Sequence, residues 1–339
     1  MLRIFFIIII SICAISCGKY DVDMSKYLNV DYDLNCIWDK ASHCAFTSLV
    51  EFNGNFYCCF REANSHIPYR NGGYGIIRIL ESSDGNEWYS VCVIEDAQYD
   101  LRDPYMSITP DNRLMLICGR LVIDQMDNRI IQHGKVCFFD SAQSIRDSIY
   151  EAYDISIENN ENDLSYWLWK VKWHNGIAYG VAYNDIDTPI LVKSIDGIAF
   201  SIITELPMQV NECDIDFIGN DMILVCRPKH DYDMGFVGMA AYPYNDWRYA
   251  KTKHRIHSPD ILILDDIVLV AGRGDIGTTI FQLNDNIISP IKVLPSDGDF
   301  GYPGIIYDRY NNNVCVSYYT TISTSKVYFA RLNKDMLAL

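Results

Sequence analysis

The chain is short of positive charge: 28 Lys and Arg stand against 44 Asp and Glu, for a formal net charge of −16. That imbalance excludes the basic face that a nucleic acid or an anionic membrane surface requires. An anionic ligand would have to be held by a local cluster of arginines working against the overall field. Long apolar runs are missing too, and beyond the N-terminus none is long enough to cross a bilayer. Helical periodicity is scarce. No Cys and His residues stand at the spacing zinc requires, so neither a metal nor any other cofactor is expected. Apolar and aromatic residues, by contrast, make up 49% and 13% of the 339 positions. A large core can therefore form and disorder is excluded. The length fits either two domains or one large all-β propeller or barrel.

The N-terminus reads as an export signal. Met1-Leu2-Arg3 gives a positive start, and Ile4 to Ser16 a short apolar stretch. The stretch ends in Ala14-Ile15-Ser16-Cys17-Gly18, where a small residue precedes a cysteine. This resembles a bacterial lipobox, which implies cleavage before Cys17 and lipidation of its thiol. The expected division is a signal over 1–16, a polar tether and lead-in over 17–40, and one folded domain over 41–339. The protein would be exported to the periplasm or cell surface and touch the membrane only through its lipid. Of twelve cysteines, Cys13 and Cys17 fall in this region. Most of the other ten lie in apolar runs such as Phe56-Tyr57-Cys58-Cys59-Phe60, as buried free cysteines that pack like small hydrophobes do.

One pattern recurs through the rest: an apolar strand, a short polar turn, and a second apolar strand that often ends in arginine. Copies begin at Phe46, Pro104, Lys170, Cys213, Pro259 and Pro303, spaced 58, 66, 43, 46 and 44 residues apart. A period in the forties with about four strands per unit is that of a β-propeller blade. Six copies predict an all-β, six-bladed β-propeller. Between the inner pairs lie candidate outer pairs, such as Gly75–Leu80 with Tyr89–Ile94. The acidic stretch Glu151–Asp163 is read as a surface loop.

Two outer turns share a chemistry. Ser82-Ser83-Asp84-Gly85-Asn86-Glu87-Trp88 and Ser194-Ile195-Asp196-Gly197-Ile198-Ala199-Phe200 both read Ser-x-Asp-Gly-x-x-aromatic. Asp accepts backbone N–H bonds within such a turn, Gly supplies a positive φ, and the aromatic packs back on the blade. The pair resembles a shortened form of the Asp box of sialidases, a structural element with no chemistry assigned to it.

In a propeller the ends of the innermost strands line one mouth, the default binding site. Here they present Arg61-Glu62, Arg102-Asp103, Glu212, Arg227, Arg273 and Tyr302. Converging guanidinium groups suit a carboxylate, which they clamp bidentately. A neighbouring acid such as Asp103 or Glu62 would equally well pair with any one of them.

Over most of residues 41–335 the chain resembles the sialidase (neuraminidase) superfamily. Asn211-Glu212-Cys213-Asp214, followed by a strand, a turn and Val225-Cys226-Arg227, resembles the segment that carries the catalytic Glu and second arginine. Gly301-Tyr302-Pro303-Gly304 resembles the segment of the nucleophilic tyrosine. Ser258-Pro259-Asp260, running to Ala271-Gly272-Arg273, resembles the blade of the third arginine. The resemblance implies that Tyr302 attacks, Glu212 takes its proton, and Arg227 and Arg273 hold the substrate carboxylate. The chemistry is coherent, because an anionic nucleophile would be repelled by a carboxylate on the anomeric carbon and a neutral phenol is not.

Two parts of the superfamily pattern differ here. The place of its first arginine reads Ala45-Phe46-Thr47, with Arg61 at the far end of the same hairpin as a substitute. No aspartate stands in the loop after that hairpin, which offers Glu62 and His66 as proton donors. Asp103, in Arg102-Asp103-Pro104, is a further candidate, since Arg-Asp-Pro also occurs in five-bladed glycosidases acting on fructosides and mannosides. The expected function is a retaining, sialidase-like exo-glycosidase acting as a monomer on a glycan, with no nucleic-acid partner. The alternatives are a glycosidase of different specificity using Asp103 with Glu62 or Glu212, and a non-catalytic carbohydrate-binding lipoprotein.

Overall fold

Six small, mainly antiparallel sheets stand in a ring in the computed structural model, which describes residues 32–68, 73–124, 126, 128–158, 166–229, 234–321 and 324–337. This is the expected six-bladed β-propeller. Blade 1 runs through His43–Phe52, Asn55–Ala63, Ile76–Ser82 and Tyr89–Ile94. Blade 2 holds Asp100–Ile108, Leu114–Ile123, Arg129–Phe139 and Glu151–Asp154, with the short helix Ala142–Arg146 before its last strand. Blade 3 pairs Trp167–Leu168 and Lys172–His174 with Ile177–Tyr183, followed by Ile190–Ser194 and Ala199–Glu205. Blades 4 and 5 start from Val210–Ile218 and His257–Leu264. Blade 6 comprises Phe300–Asp308, Asn313–Thr321 and Ser325–Asn333, and its outermost strand is Asp33–Trp38 from the other end of the chain.

That last pairing corrects one expectation. Residues 33–38, assigned to the tether, form a strand whose Asp33 lies opposite Arg331. The segment is short and largely exposed, so its one buried end, Ile37 and Trp38, is a faint signal in sequence. The acidic stretch is also more ordered than expected at its start: Glu151–Asp154 is the exposed edge strand of blade 2, and Ser156–Ile157 runs parallel to Ala199–Phe200 of blade 3. Cys17 and the export signal lie outside the described residues, among which no helix is long and apolar enough to cross a membrane.

The core lies between adjacent blades, where alternate side chains of neighbouring sheets interdigitate. The ten cysteines of the described residues are free, and all but Cys36 are buried, as packing requires. The two Ser-x-Asp-Gly turns are built alike. In each the serine hydroxyl accepts the glycine N–H at 2.9 Å, and the aspartate accepts two backbone N–H groups beyond it. Gly85 and Gly197 have φ of 76° and 74°, which a side chain would strain. Trp88 then packs on Phe329 of blade 6, and Phe200 lies fully buried under blade 3.

Candidate functional site

The innermost strands share an irregularity that aims side chains at the axis. In five blades two residues break the register with the partner strand: Phe46-Thr47, Asp103-Pro104, Asn211-Glu212, Ser258-Pro259 and Tyr302-Pro303. Such a bulge bends the strand and redirects a side chain. Phe46, Asp103, Ser258 and Tyr302 occupy equivalent places with φ of 63°, 47°, 47° and 47°. A positive φ strains a residue with a Cβ, so the surroundings must hold it. At Tyr302 they do: its N–H donates to Ser258 Oγ at 3.3 Å, and its carbonyl accepts from Thr47 Oγ1 at 2.7 Å. Three of these bulges contain proline, which leaves no donor unsatisfied where the ladder is broken.

Neighbouring blades are laced by the same strands. Ser48 accepts Met106 N–H, Asp214 accepts Ile261 N–H and Asp260 accepts Ile305 N–H, at 3.0, 2.7 and 2.8 Å. Burying those carboxylates needs countercharge: Lys170 reaches Asp260 at 2.8 Å and Lys172 lies 3.6 Å from Asp214. The axis is thus plugged by ion pairs. A wide groove opens toward the other end of these strands, where Leu49, Ile261 and Ile305 alternate with charged residues such as Lys172, Asp216 and Arg309.

The bulged side chains line a narrow cleft bounded by Phe46, Asp103, Trp169 and Tyr302. Beside it the Tyr302 phenol donates a short hydrogen bond to Glu212 Oε1. The same oxygen accepts from Arg227 at 2.7 Å, and Oε2 accepts Ser258 N–H at 3.0 Å. Glu212 is buried, so these bonds fix its carboxylate in one orientation. Burial, and then the Glu212 charge, pushes the phenol of Tyr302 well above its ordinary pKa. The resting phenol is therefore neutral, with a carboxylate already in contact. Asp103 is half-buried, and its Oδ1 lies buried with no hydrogen-bond partner. Burial above all, reinforced by Glu212 and opposed by Arg102, raises its pKa from 3.8 to about 7. A carboxyl group in that range can give up a proton at neutral pH and take it back.

Arg273 lies 5.7 Å from the Tyr302 ring and is held by Asp299 at 2.8 Å and the Phe300 carbonyl at 2.5 Å. Burial alone would raise Asp299, but His66, Arg273 and the Tyr319 phenol together hold it at about 2. Glu212, two arginines and a carboxyl group of raised pKa thus converge from several blades around the Tyr302 ring.

No protein family and no curated protein sequence matches the chain. Solved structures do. A Dyadobacter fermentans protein of unknown function superposes with a TM-score of 0.76 at 18% identity, covering 88% of this chain and 97% of that one. Trypanosoma rangeli sialidase gives 0.61 at 12% identity, over 88% of this chain and 56% of its own. The phage phi92 endosialidase gives 0.66 at 10% identity, over 90% and 69%. The fold is sialidase-like. This chain spans about half the length of the trypanosomal sialidase it matches.

Within the sialidase-like ring the expected site residues divide. Tyr302, Glu212, Arg227, Arg273 and Asp103 are brought together. Arg61 is not available to a ligand: its side chain is fully buried and donates to Asp100 at 2.6 and 3.1 Å and to the Ser65 carbonyl at 3.0 Å. It cannot replace the first arginine, because strand alternation turns it into the core. Glu62 points to the other face of the same strand, where Arg78 at 2.8 and 2.9 Å and the Trp38 indole at 2.8 Å occupy its oxygens. As a proton donor it is excluded by those partners. Arg102 shares Asp100 with Arg61 and also donates to the His66 carbonyl. His66 stands half-exposed at the rim, its ring edge-on to Phe46 and its Nδ1 3.4 Å from Asp299. Sequence reasoning missed Asp299, Tyr319 and Trp169. Asp299 sits in Asp297-Gly298-Asp299, which reads as an ordinary turn, and the two aromatics read as core.

Proposed function

We propose that the protein is a retaining glycoside hydrolase that removes a terminal acidic sugar, of the sialic acid class, from a glycan. The observation that carries the reading is the hydrogen bond between Tyr302 and Glu212, two residues 90 positions apart whose bulged strands aim them at each other. In the first step the phenol oxygen of Tyr302 bonds to the anomeric carbon, its proton passes to Glu212, and the leaving-group oxygen takes the proton of Asp103. In the second step water attacks the tyrosyl glycoside, Asp103 accepts a proton from that water, and Glu212 returns its proton to the phenol oxygen. Arg227 and Arg273 hold the sugar carboxylate. Export and anchoring through Cys17 belong to the same proposal, since a glycan substrate lies outside the cell; labelled palmitate incorporation that survives Cys17→Ser would contradict it.

Protein lacking residues 1–17 is to be tested on aryl sialosides and on a panel of neutral aryl glycosides. Sialoside turnover that falls by about 10³-fold or more in Tyr302→Phe, with an unchanged fold by circular dichroism, supports the reading. Turnover of neutral glycosides alone, unaffected by Tyr302→Phe, refutes it. One observation favours a second reading. Phe46 occupies a place at the mouth equivalent to that of Tyr302, and Arg61, the substitute for the first arginine, is buried against Asp100. A carbohydrate-binding protein would show saturable sialic acid binding and no turnover.

A further inference from the structure

Where blade 1 meets blade 6, three side chains of metal-ligating type converge: His43 on the inner strand of blade 1, His66 in the loop beyond its second strand, and Asp299 just ahead of blade 6. One ligand atom from each lies within 4.8 Å of the other two. His66 Nδ1 is 3.4 Å from Asp299 Oδ2, and the two imidazoles meet edge to face with centroids 5.2 Å apart. A tetrahedral zinc ion with ligands at ~2.0–2.1 Å sets its donors about 3.3 Å apart, so the His66–Asp299 separation already fits.

His43 supplies an independent observation. Its side chain is 92% buried (8% exposed), and neither ring nitrogen has a hydrogen-bond partner. An imidazole buried with both nitrogens unsatisfied is destabilising. Both nitrogens are sealed from water, so a sugar hydroxyl could not reach them either. A bare ion held between the rings would satisfy one. Asp299 is anchored from behind: Oδ1 accepts from Arg273 at 2.8 Å and Oδ2 from the Tyr319 phenol at 2.9 Å. Such outer partners orient metal-binding carboxylates. The nearest other cations are matched. Arg61 and Arg102 share Asp100, although Arg102 Nη2 stands 3.5 Å from His66 Nε2 and weakens any dication beside it.

We propose that His43, His66 and Asp299 form a zinc-binding clasp that ties the first blade to the last beside the mouth of the propeller. Two imidazoles and a carboxylate suit zinc rather than magnesium or calcium, which take oxygen donors. The clasp meets the proposed site at Asp299, which holds Arg273, but none of the three touches the Tyr302–Glu212 pair, and metal binding can be read without turnover.

The test is a titration of the chelator-treated full chain with cobalt(II), followed by displacement with zinc. One equivalent of cobalt should give d–d absorption without a thiolate charge-transfer band, and zinc should abolish it and raise the thermal midpoint reversibly. His66→Asn, at a half-exposed position that leaves the fold intact, should weaken binding at least tenfold. His43→Gln should do the same. Absence of saturable binding, a thiolate band, or equal affinity in wild type and both variants would overturn the clasp. Magnesium and calcium at the same concentrations should give no thermal shift, and an equal shift would also count against it.

Discussion

Asp103→Asn should make the protein more stable at pH 8 and no more stable at pH 4, while abolishing turnover. The carboxyl group is displaced from 3.8 to about 7, chiefly by burial. At 1.36 kcal/mol per pH unit that corresponds to about 4 kcal/mol of differential interaction, an order-of-magnitude figure. The sign follows from the proton count. Below about pH 4 both folded and unfolded chains hold the proton, and the group makes no difference. As pH rises the unfolded chain releases its proton first, so stability falls through the interval and the full penalty is present above about pH 7. An asparagine is neutral throughout and escapes that penalty. Any unsatisfied amide in the variant weighs equally at both pH values and cancels when the two are compared. Asp214 is also raised to about 7 by burial, but it is common to both proteins and cancels likewise. Urea unfolding of the two proteins at pH 4 and pH 8 gives the four free energies required. A stability difference between variant and wild type that is the same at both pH values would refute the assignment of Asp103 as a buried, proton-holding acid.

Further outcomes follow from the ion pairs and the ring closure. Arg61→Met should lower stability by about 3–5 kcal/mol, because it strands the buried Asp100 beside a single remaining arginine; a thermal midpoint within about 2 °C of wild type would contradict its structural role. Glu62→Gln should leave kcat/KM unchanged and weaken the fold by about 1–2 kcal/mol through its bonds to Arg78 and Trp38, and a large loss of turnover at unchanged stability would restore it as a catalytic candidate. Deleting residues 1–38 should give a protein that aggregates or melts well below one lacking residues 1–31, since it opens an edge along Val327–Arg331; equal melting of the two would refute closure by that strand.

The ring was legible because each blade repeats the same two signals, alternating apolar residues and a tight polar turn such as Asn53-Gly54 or Asn175-Gly176, where both residues take positive φ. The strand Asp33–Trp38 was not, since it is short, polar on its exposed face and separated from its partner by almost the whole chain. Tyr302, Glu212, Arg227 and Arg273 were legible through motif resemblance, but what aims the first two at the axis is a bulge that periodicity cannot report. Arg61 and Glu62 show the converse failure. Both stand at the end of an inner hairpin, as a site residue should, yet alternation sends one into the core and the other to Arg78 and Trp38. Residue type marks candidates, and only the partner each finds across the fold decides its role.

Closure of the last blade by Asp33–Trp38 also has a kinetic side. Among the described strands, Asp33–Trp38 must wait for Ser325–Asn333 before it can pair, so this hydrogen-bonded ladder joins segments almost 300 residues apart. Contacts of such sequence separation form late and slowly. Until they form, the outer flank of blade 6 presents an unpaired template to any neighbouring chain. Assembly of this protein should therefore be concentration-sensitive at its last step, even though the five blades before it are each complete as soon as they are made.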